Sequence, residues 1–532
     1  MTLNFPETRV LSGIVQPYSK ETPDKIAIND GKTSFTYRQL EDISDRLAKQ
    51  LVAAGCRKGD RVCLVAKKCA EIIPFAIAIW KAGAVYSPLD PELPAERLEN
   101  ILNNITPFAL IHPQADAKRV EPLNVPLKRS FESCHTETET PEATLPVVTE
   151  EDNAIIIHTS GSTGLPKGVV LQHKSVVAYF NSHRLVFNTS NEYRCLNTAS
   201  FHFDVSVQDT FLPLFFGAYI YLYRNFFIPE LVLPLIQKEE FTIITAVSTI
   251  LNLITGDLAN LDKYKFPNLR YVSMGAEVCP VKLVNKWLET QPGLVVINNY
   301  GPSEVNSATV CYPIKKAEIN RESYYPIGKP NDKVKAVLLD DEQNVITGPD
   351  TNGELLLGGP QLMKEYWNNP EATENAFAYV DGEKYYKTGD ICFYDQNNDL
   401  VYNGRKDFEV KFNGRRINML EITGMVQDKF PVQSVEGHHA ELNGRHYLIL
   451  LMQVEDYANI ATMKEDMVKH LKEKLPAHSI PNVFSFFDTP VQTSSGKTNK
   501  KLLAESTVEA LKKNTSDLFC YQENEFRKYK QN

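Results

Sequence analysis

The chain is predicted to be an α/β protein, a large N-terminal domain of helix-covered β-sheets followed by a small α+β C-terminal domain. Three observations lead there. Short apolar, β-rich runs alternate with helical periodicity through roughly the first 400 residues, the pattern of parallel sheets covered by helices. Near Asp407 the texture changes to shorter, more charged strands. The length, 532 residues, also exceeds what one hydrophobic core organises.

Taken in chain order, "RVCLVA" (61–66), "FALIHP" (108–113), "AIIIHTS" (154–160), "FTIITAV" (241–247) and "LVVINNYG" (294–301) read as buried strands. Between them, "SDRLAKQLVAAG" (44–55) sets Leu47, Leu51 and Val52 on one helical face and stops at a glycine. "LPAERLENILNNI" (93–105) has Pro94 near its start and Leu98, Ile101 and Leu102 at helical spacing. The polar, threonine-rich segment 134–153 is a surface loop. Beyond Asp407, "DFEVKF" and "HYLILLMQV" are strands, and "TMKEDMVKHLKEKL" is a helix with Met463, Met467 and Leu471 on one face. The expected boundaries are 1–406, 407–510 and a polar tail, 511–532.

Composition narrows the function classes. Hydrophobic content of 43% and charged content of 23% are those of an ordinary soluble globular protein. A net charge of -9 argues against nucleic acid as a partner. Nine cysteines without a C-x-x-C pair suggest neither a zinc ribbon nor a disulfide framework, and read as reduced thiols. The N-terminus lacks a charged-then-apolar signal pattern, and the longest apolar run, "FLPLFFGAYIYLY" (211–223), is too short to span a bilayer. A cytoplasmic protein with no membrane partner is expected.

The most chemical stretch is "IIIHTSGSTGLPKGVV" (155–170). A buried strand delivers glycines, whose backbone N–H groups approach an anion closely, with the hydroxyls of Thr159, Ser160, Ser162 and Thr163 and the charge of Lys167. That composition suits a polyphosphate; the alternative, taken alone, is a flexible loop. It is not a Walker loop: Pro166 stands where that loop needs glycine, and Gly168 where it needs a magnesium-binding hydroxyl.

The wider pattern is specific. "TSGSTGLPKG" resembles the phosphate loop of the ANL superfamily, which includes acyl-CoA synthetases, luciferases and the adenylation domains of nonribosomal peptide synthetases. "FTYRQL" (35–40), "WKAGAVYSPLDP" (80–91), "FDVSVQD" (203–209), "NNYGPSE" (298–304), "GELLLGG" (353–359), "YKTGD" (386–390), "GRKDFEVKFNGRRINMLEI" (404–422), "LPAHSIP" (475–481) and "SSGKTNKK" (494–501) resemble its other motifs, in the family's order. The resemblance covers nearly the whole chain.

The resemblance implies an ANL fold with a mobile C-terminal domain, and ATP and Mg²⁺ as cofactors. Thr159, Ser160, Gly161, Ser162, Thr163, Gly164 and Lys167 would wrap the β- and γ-phosphates. Tyr300 would stack on adenine, with Gly275, Ala276 and Asn298 lining the base and Gly301, Ser303 and Tyr402 completing the nucleotide site. Glu304 would hold magnesium, and Asp390, assisted by Arg405, would accept from the ribose hydroxyls. Lys497 would be the catalytic bridge between substrate carboxylate and α-phosphate. Asp407 would be the hinge. Singly, these residues have ordinary readings: Tyr300 as core, Glu304 as a solvated acid, Asp390 as a turn or helix cap, Lys497 as surface charge and Asp407 as a linker residue.

"FDVSVQD" discriminates among acids. Amino-acid-activating members of the family carry an aspartate at the position of Asp204 that pairs with the substrate ammonium, and a buried carboxylate without a cation partner would be costly. The alternative is an aspartate capping a following helix. Comparison with peptide-synthetase adenylation domains implies a substrate pocket of Asp204, Val205, Gln208, Thr245, Val272, Met274, Asn299, Ser307 and Ala308. Without a second charge or a large aromatic, that set suits a small or medium neutral amino acid. Asp-Val-Gln at the first three positions resembles proline-activating domains, so L-proline leads, with valine-sized acids and D-alanine left open. The chain ends shortly after Lys497 without a "GGxS" carrier motif. A free-standing ligase that loads the phosphopantetheine thiol of a separate carrier protein is therefore expected. The alternatives are an acyl-CoA ligase, against which Asp204 stands, and a non-catalytic adenylate sensor, which would need no phosphate-bridging lysine.

Overall fold

The computed structural model describes residues 9–159, 166–276, 279–321, 324–406, 409–412, 415–442, 445–455, 457–488, 500–513, 516–522 and 525–528. Of the expected site residues, Ser160, Gly161, Ser162, Thr163, Gly164, Asp407 and Lys497 lie outside them. The chain divides into two compact units. The larger is built from the described residues of Met1–Pro91, Ile101–Thr159 and Lys167–Lys406, and the smaller chiefly from those of Asp407–Asn532.

Two of the larger unit's three sheets have parallel centres. In the first, Tyr219–Leu222, Arg194–Asn197, Ile243–Val247, Tyr271–Gly275 and Val295–Tyr300 run parallel side by side, and Val310–Ile314 returns antiparallel beyond them. In the second, Asn153–Thr159, Val85–Leu89, Arg61–Val65, Ala109–His112 and Leu127–Ser130 run parallel, and Lys167–Gln172 and Glu365–Tyr366 close one edge antiparallel. Central strands such as Ile243–Val247 and Arg61–Val65 are apolar on both faces because both faces are covered. Helix Ile72–Lys81 is buried along its whole length and shares one core with both sheets. Its Trp80 donates an indole hydrogen bond to the Ala154 carbonyl at 2.8 Å, tying it to the strand that enters the glycine-rich stretch. The first expected helix begins earlier than its apolar spacing suggested, at Tyr37. Thr36 caps it there, exchanging hydrogen bonds with Gln39 in a capping box.

The third sheet departs from the expected alternation. Lys335–Leu339, Gly353–Gly358, Phe377–Val380, Glu383–Tyr394 and Leu400–Arg405 pair antiparallel. The reason is connection length. A parallel pair needs a long crossover, whereas Phe377–Val380 is joined to Glu383–Tyr394, and that strand to Leu400–Arg405, by short turns.

The smaller unit is α+β. The hairpin Glu409–Phe412 and Arg415–Asn418 precedes helix Met419–Lys429, and a five-stranded sheet packs helix Ile460–Lys474 through Met467 and Leu471. The segment read as a polar tail contributes two of those five strands, Leu518–Gln522 and Glu525–Lys528, and buries Phe519 and Cys520. A short apolar run there was hidden by the polar composition around it.

Candidate active site

The carboxyl ends of the first sheet's parallel strands gather at one edge, where open α/β sheets bind ligands. Thr245, Gly275, Asn298, Asn299 and Tyr300 all lie there. Ala276, immediately after its strand, holds φ at +64°, a left-handed conformation that turns the backbone sharply at this edge. Gly275 has no room for a side chain, since a Cβ would stand 2.9 Å from the Asn299 carbonyl oxygen.

Residues Asn298 to Glu304 reach a different element at almost every step. Asn298 donates to the Pro326 carbonyl at 2.7 Å. Asn299 donates to Ser273 Oγ at 2.6 Å. The Tyr300 hydroxyl donates to Asp390 Oδ2. Ser303 Oγ donates to Asp204 Oδ2 at 2.6 Å. Glu304 Oε1 accepts from the Tyr366 hydroxyl at 2.7 Å. The turn that makes this possible requires Gly301, because a Cβ there would meet the Ser307 carbonyl oxygen at 1.6 Å. Ser307 in turn sits with Asn306 in the left-handed region, at φ of +65° and +62°.

Asp390 is fully buried on a bulged strand. Arg405 Nη1 donates to its Oδ1 at 2.9 Å and to the Thr388 carbonyl, and Thr388 Oγ1 accepts from the Asp390 N–H. Tyr402 packs its ring 6.4 Å from that of Tyr300. A carboxylate oxygen accepts more than one hydrogen bond, so the aspartate keeps capacity for a ligand hydroxyl.

Asp204 and Val205 are half-buried before a buried π-helical turn, Val207–Phe211, that carries Gln208. Asp209, the second aspartate of "FDVSVQD", is used internally. It accepts from the Thr198 and Ala199 N–H groups and from Asn197 Nδ2, and burial pushes its carboxyl up to about 6. Asp204 instead accepts from Ser303 Oγ, on the turn that carries Tyr300 and Glu304.

Gln208 and Asn299 both donate to Ser273 Oγ, at 2.8 and 2.6 Å, while Cys311 donates its thiol to Asn299 Oδ1. Strand alternation places Val272 and Met274 on the opposite face, where they join the core of Ile244, Val296 and Trp287. The structure therefore does not bring Val272 and Met274 together with Gln208 and Asn299. Ser273, which lies between them in sequence, takes that face. Ser273 and Cys311 are the residues sequence reasoning missed, and the alternation of the strand was the available signal. Ala308 is buried beside this turn, its carbonyl accepting from Asn331.

Thr159 and Lys167 are register partners at the two ends of the glycine-rich stretch. Lys167 Nζ lies 5.1 Å from the centroid of the Tyr366 ring, a cation–π contact. Among the described residues no cluster of three or more His, Cys, Asp or Glu side chains could hold a metal ion. Buried Glu304 alone offers one hard carboxylate. That fits magnesium, which is held by one or two carboxylates plus substrate phosphates rather than by an all-protein cage.

A parallel sheet edge with partnered carboxylates, beside the antiparallel strands Asn153–Thr159 and Lys167–Gln172 that bring Lys167 to it, is the arrangement of a nucleotide-binding α/β enzyme. The family can be stated as well: the model of AMP-binding enzymes matches residues 15–367, so the chain belongs to that family, within the ANL superfamily of adenylate-forming ligases. It is 28% identical over 538 residues to malpibaldin synthetase of Mortierella alpina, covering 94% of this chain but only 9% of that protein. It is 28% identical over 505 residues to a D-alanine--D-alanyl carrier protein ligase of Bacillus cereus, covering 93% of this chain and 99% of that protein. The artificially fused adenylation–PCP di-domain NpsA-ThdA of Klebsiella oxytoca shares the fold, with a TM-score of 0.77 and 22% identity over 97% of this chain and 98% of that one. No helix among the described residues is long and apolar enough to cross a membrane.

Because Gly301 has no space for a Cβ, Gly301→Ala should displace the turn carrying Tyr300, Ser303 and Glu304. A misplacement on the order of 1 Å costs about a hundredfold in a positioned site. ATP-dependent turnover measured on folded protein should fall by that factor, and unchanged turnover would contradict the packing described.

Proposed function

We propose that this enzyme activates a small neutral α-amino acid with ATP and passes the aminoacyl group to the phosphopantetheine thiol of a carrier protein. The observation that carries the reading is the Asp204–Ser303 contact. It holds the Asp204 carboxylate against the turn that carries Tyr300 and Glu304, so an ammonium-bearing acid would be oriented next to the nucleotide groups. Similarity to a D-alanine--D-alanyl carrier protein ligase along 99% of its length supports a carrier-loading reaction over transfer to coenzyme A. L-proline is the lead substrate, on the Asp204-Val205-Gln208 pattern, and D-alanine is the alternative that this relative favours.

In this reading the substrate carboxylate attacks the α-phosphate of ATP, an aminoacyl adenylate forms, and pyrophosphate leaves. Two anions must be brought together, so positive charge is needed on both sides of the reacting bond. Lys167 and the residues 159–164 receive the departing phosphates. Glu304 would hold magnesium, whose charge would offset that of the leaving pyrophosphate. Asp390, held by Tyr300 and Arg405, accepts from the ribose hydroxyls. Lys497 bridges the carboxylate and the α-phosphate, and rotation at Asp407 withdraws it for thiol transfer.

Amino-acid-dependent ATP–pyrophosphate exchange, run with all standard amino acids, D-alanine and a panel of fatty acids, tests the proposal. Exchange should appear with proline or another small neutral amino acid, and D-alanine as the sole substrate would move the assignment to the alternative. Exchange with fatty acids alone would refute the amino-acid reading. Lys497→Ala should lower exchange by at least about a thousandfold while ATP affinity stays within about twofold, the pattern of an interaction made in the transition state. Equal losses in both would mean that Lys497 binds the ground state.

A further inference from the structure

The short segment from Met363 to Trp367 is stitched to two parts of the site by its backbone. The Met363 N–H donates to the Glu304 carbonyl at 2.7 Å, and the Trp367 N–H donates to the Gly168 carbonyl at 2.7 Å. Between them Tyr366 pairs in register with Val169, on the strand that begins at Lys167. Tyr366 is 5% exposed, so its side chain has one place to go. Its hydroxyl donates to Glu304 Oε1 at 2.7 Å and lies 3.5 Å from the hydroxyl of Tyr386, and Lys167 Nζ stands over its ring.

We propose that Tyr366 is a positioning residue: it fixes the rotation of the Glu304 carboxylate and holds that carboxylate and the Lys167 ammonium in one preset arrangement. The proposal rests on the reading of Glu304 as the magnesium ligand. A neutral hydroxyl suits the task. A hydrogen bond to an ionised acceptor is among the stronger ones, and one made before the ligand arrives removes reorganisation from the binding step. Lys167 on the ring face adds a second restraint of opposite sign to the carboxylate. Sequence reading gave Tyr366 no role, because its partners are 62 residues upstream at Glu304 and further still at Lys167.

The test is nucleotide binding without turnover. Titration calorimetry of ATP, with no amino acid present, is repeated across a series of free Mg²⁺ concentrations for the wild type, Tyr366→Phe, Glu304→Gln and the double variant. Tyr366→Phe removes one oxygen and keeps the ring, the strand pairing and the cation contact, and thermal melts verify folding of each variant. The Mg²⁺ midpoint of Tyr366→Phe should rise about tenfold, the usual cost of a lost hydrogen bond to a charged group. Its ATP affinity at saturating Mg²⁺ should stay within about twofold of wild type. Glu304→Gln should lose the Mg²⁺ dependence, and the double variant should match it. A midpoint unmoved by Tyr366→Phe but moved by Glu304→Gln would reduce Tyr366 to a packing residue and overturn the proposal. A midpoint unmoved by both would overturn the magnesium reading of Glu304, and the positioning role with it.

Discussion

The turn from Asn298 to Glu304 constrains everything around it. A buried carboxylate without partners is costly, and three carboxylates of this site, Asp204, Asp390 and Glu304, each take a hydroxyl donor from this turn or give an acceptor to a tyrosine beside it. The first sheet delivers the turn, the third sheet delivers Asp390 and Arg405, and the edge of the second sheet delivers Lys167 and Tyr366. Moving any one of these sheets would leave a charged group unsatisfied in the interior. The glycine at position 301 is the point where this convergence is tightest, because the Ser307 carbonyl already occupies the space a side chain would need.

That convergence gives the two aspartates of "FDVSVQD" opposite duties. Asp209 is saturated by backbone N–H groups and an asparagine amide and holds the loop at Thr198 in place. Asp204, half-buried and one helical turn earlier, carries the serine hydroxyl of the central turn. The amides of Gln208 and Asn299 are likewise committed to Ser273, which makes the wall beside Asp204 polar but stiff.

Much of this was legible in the chain. The parallel strands announced themselves as β-branched runs, and the ordered motifs pointed to Tyr300, Glu304, Asp390 and Arg405, which the fold brings to one region. What was not legible depends on pairing at a distance. Nothing in the local pattern of "KEYWNN" marks Tyr366 as the partner of Glu304, and a serine between two apolar residues does not declare that its face is the polar one. Val272 and Met274 enter the pocket only through the resemblance to peptide-synthetase adenylation domains, and alternation along the strand sends them to the side of the sheet opposite Ser273. The antiparallel sheet of 335–405 followed from connection length rather than residue type, and the strands near the C-terminus were masked by polar neighbours. The reading of Lys497 and of the glycine-rich residues 160–164 rests on sequence alone.

The most direct measurement of the central claim is a crystal structure with a stable aminoacyl-sulfamoyl adenosine whose amino acid supports exchange. The account predicts the ribose hydroxyls on Asp390, the adenine beside Tyr300 and Gly275, and the ligand ammonium on Asp204, with Ser303 still oriented by the same turn. An ammonium bound elsewhere, with Asp204 turned away from the ligand, would contradict it.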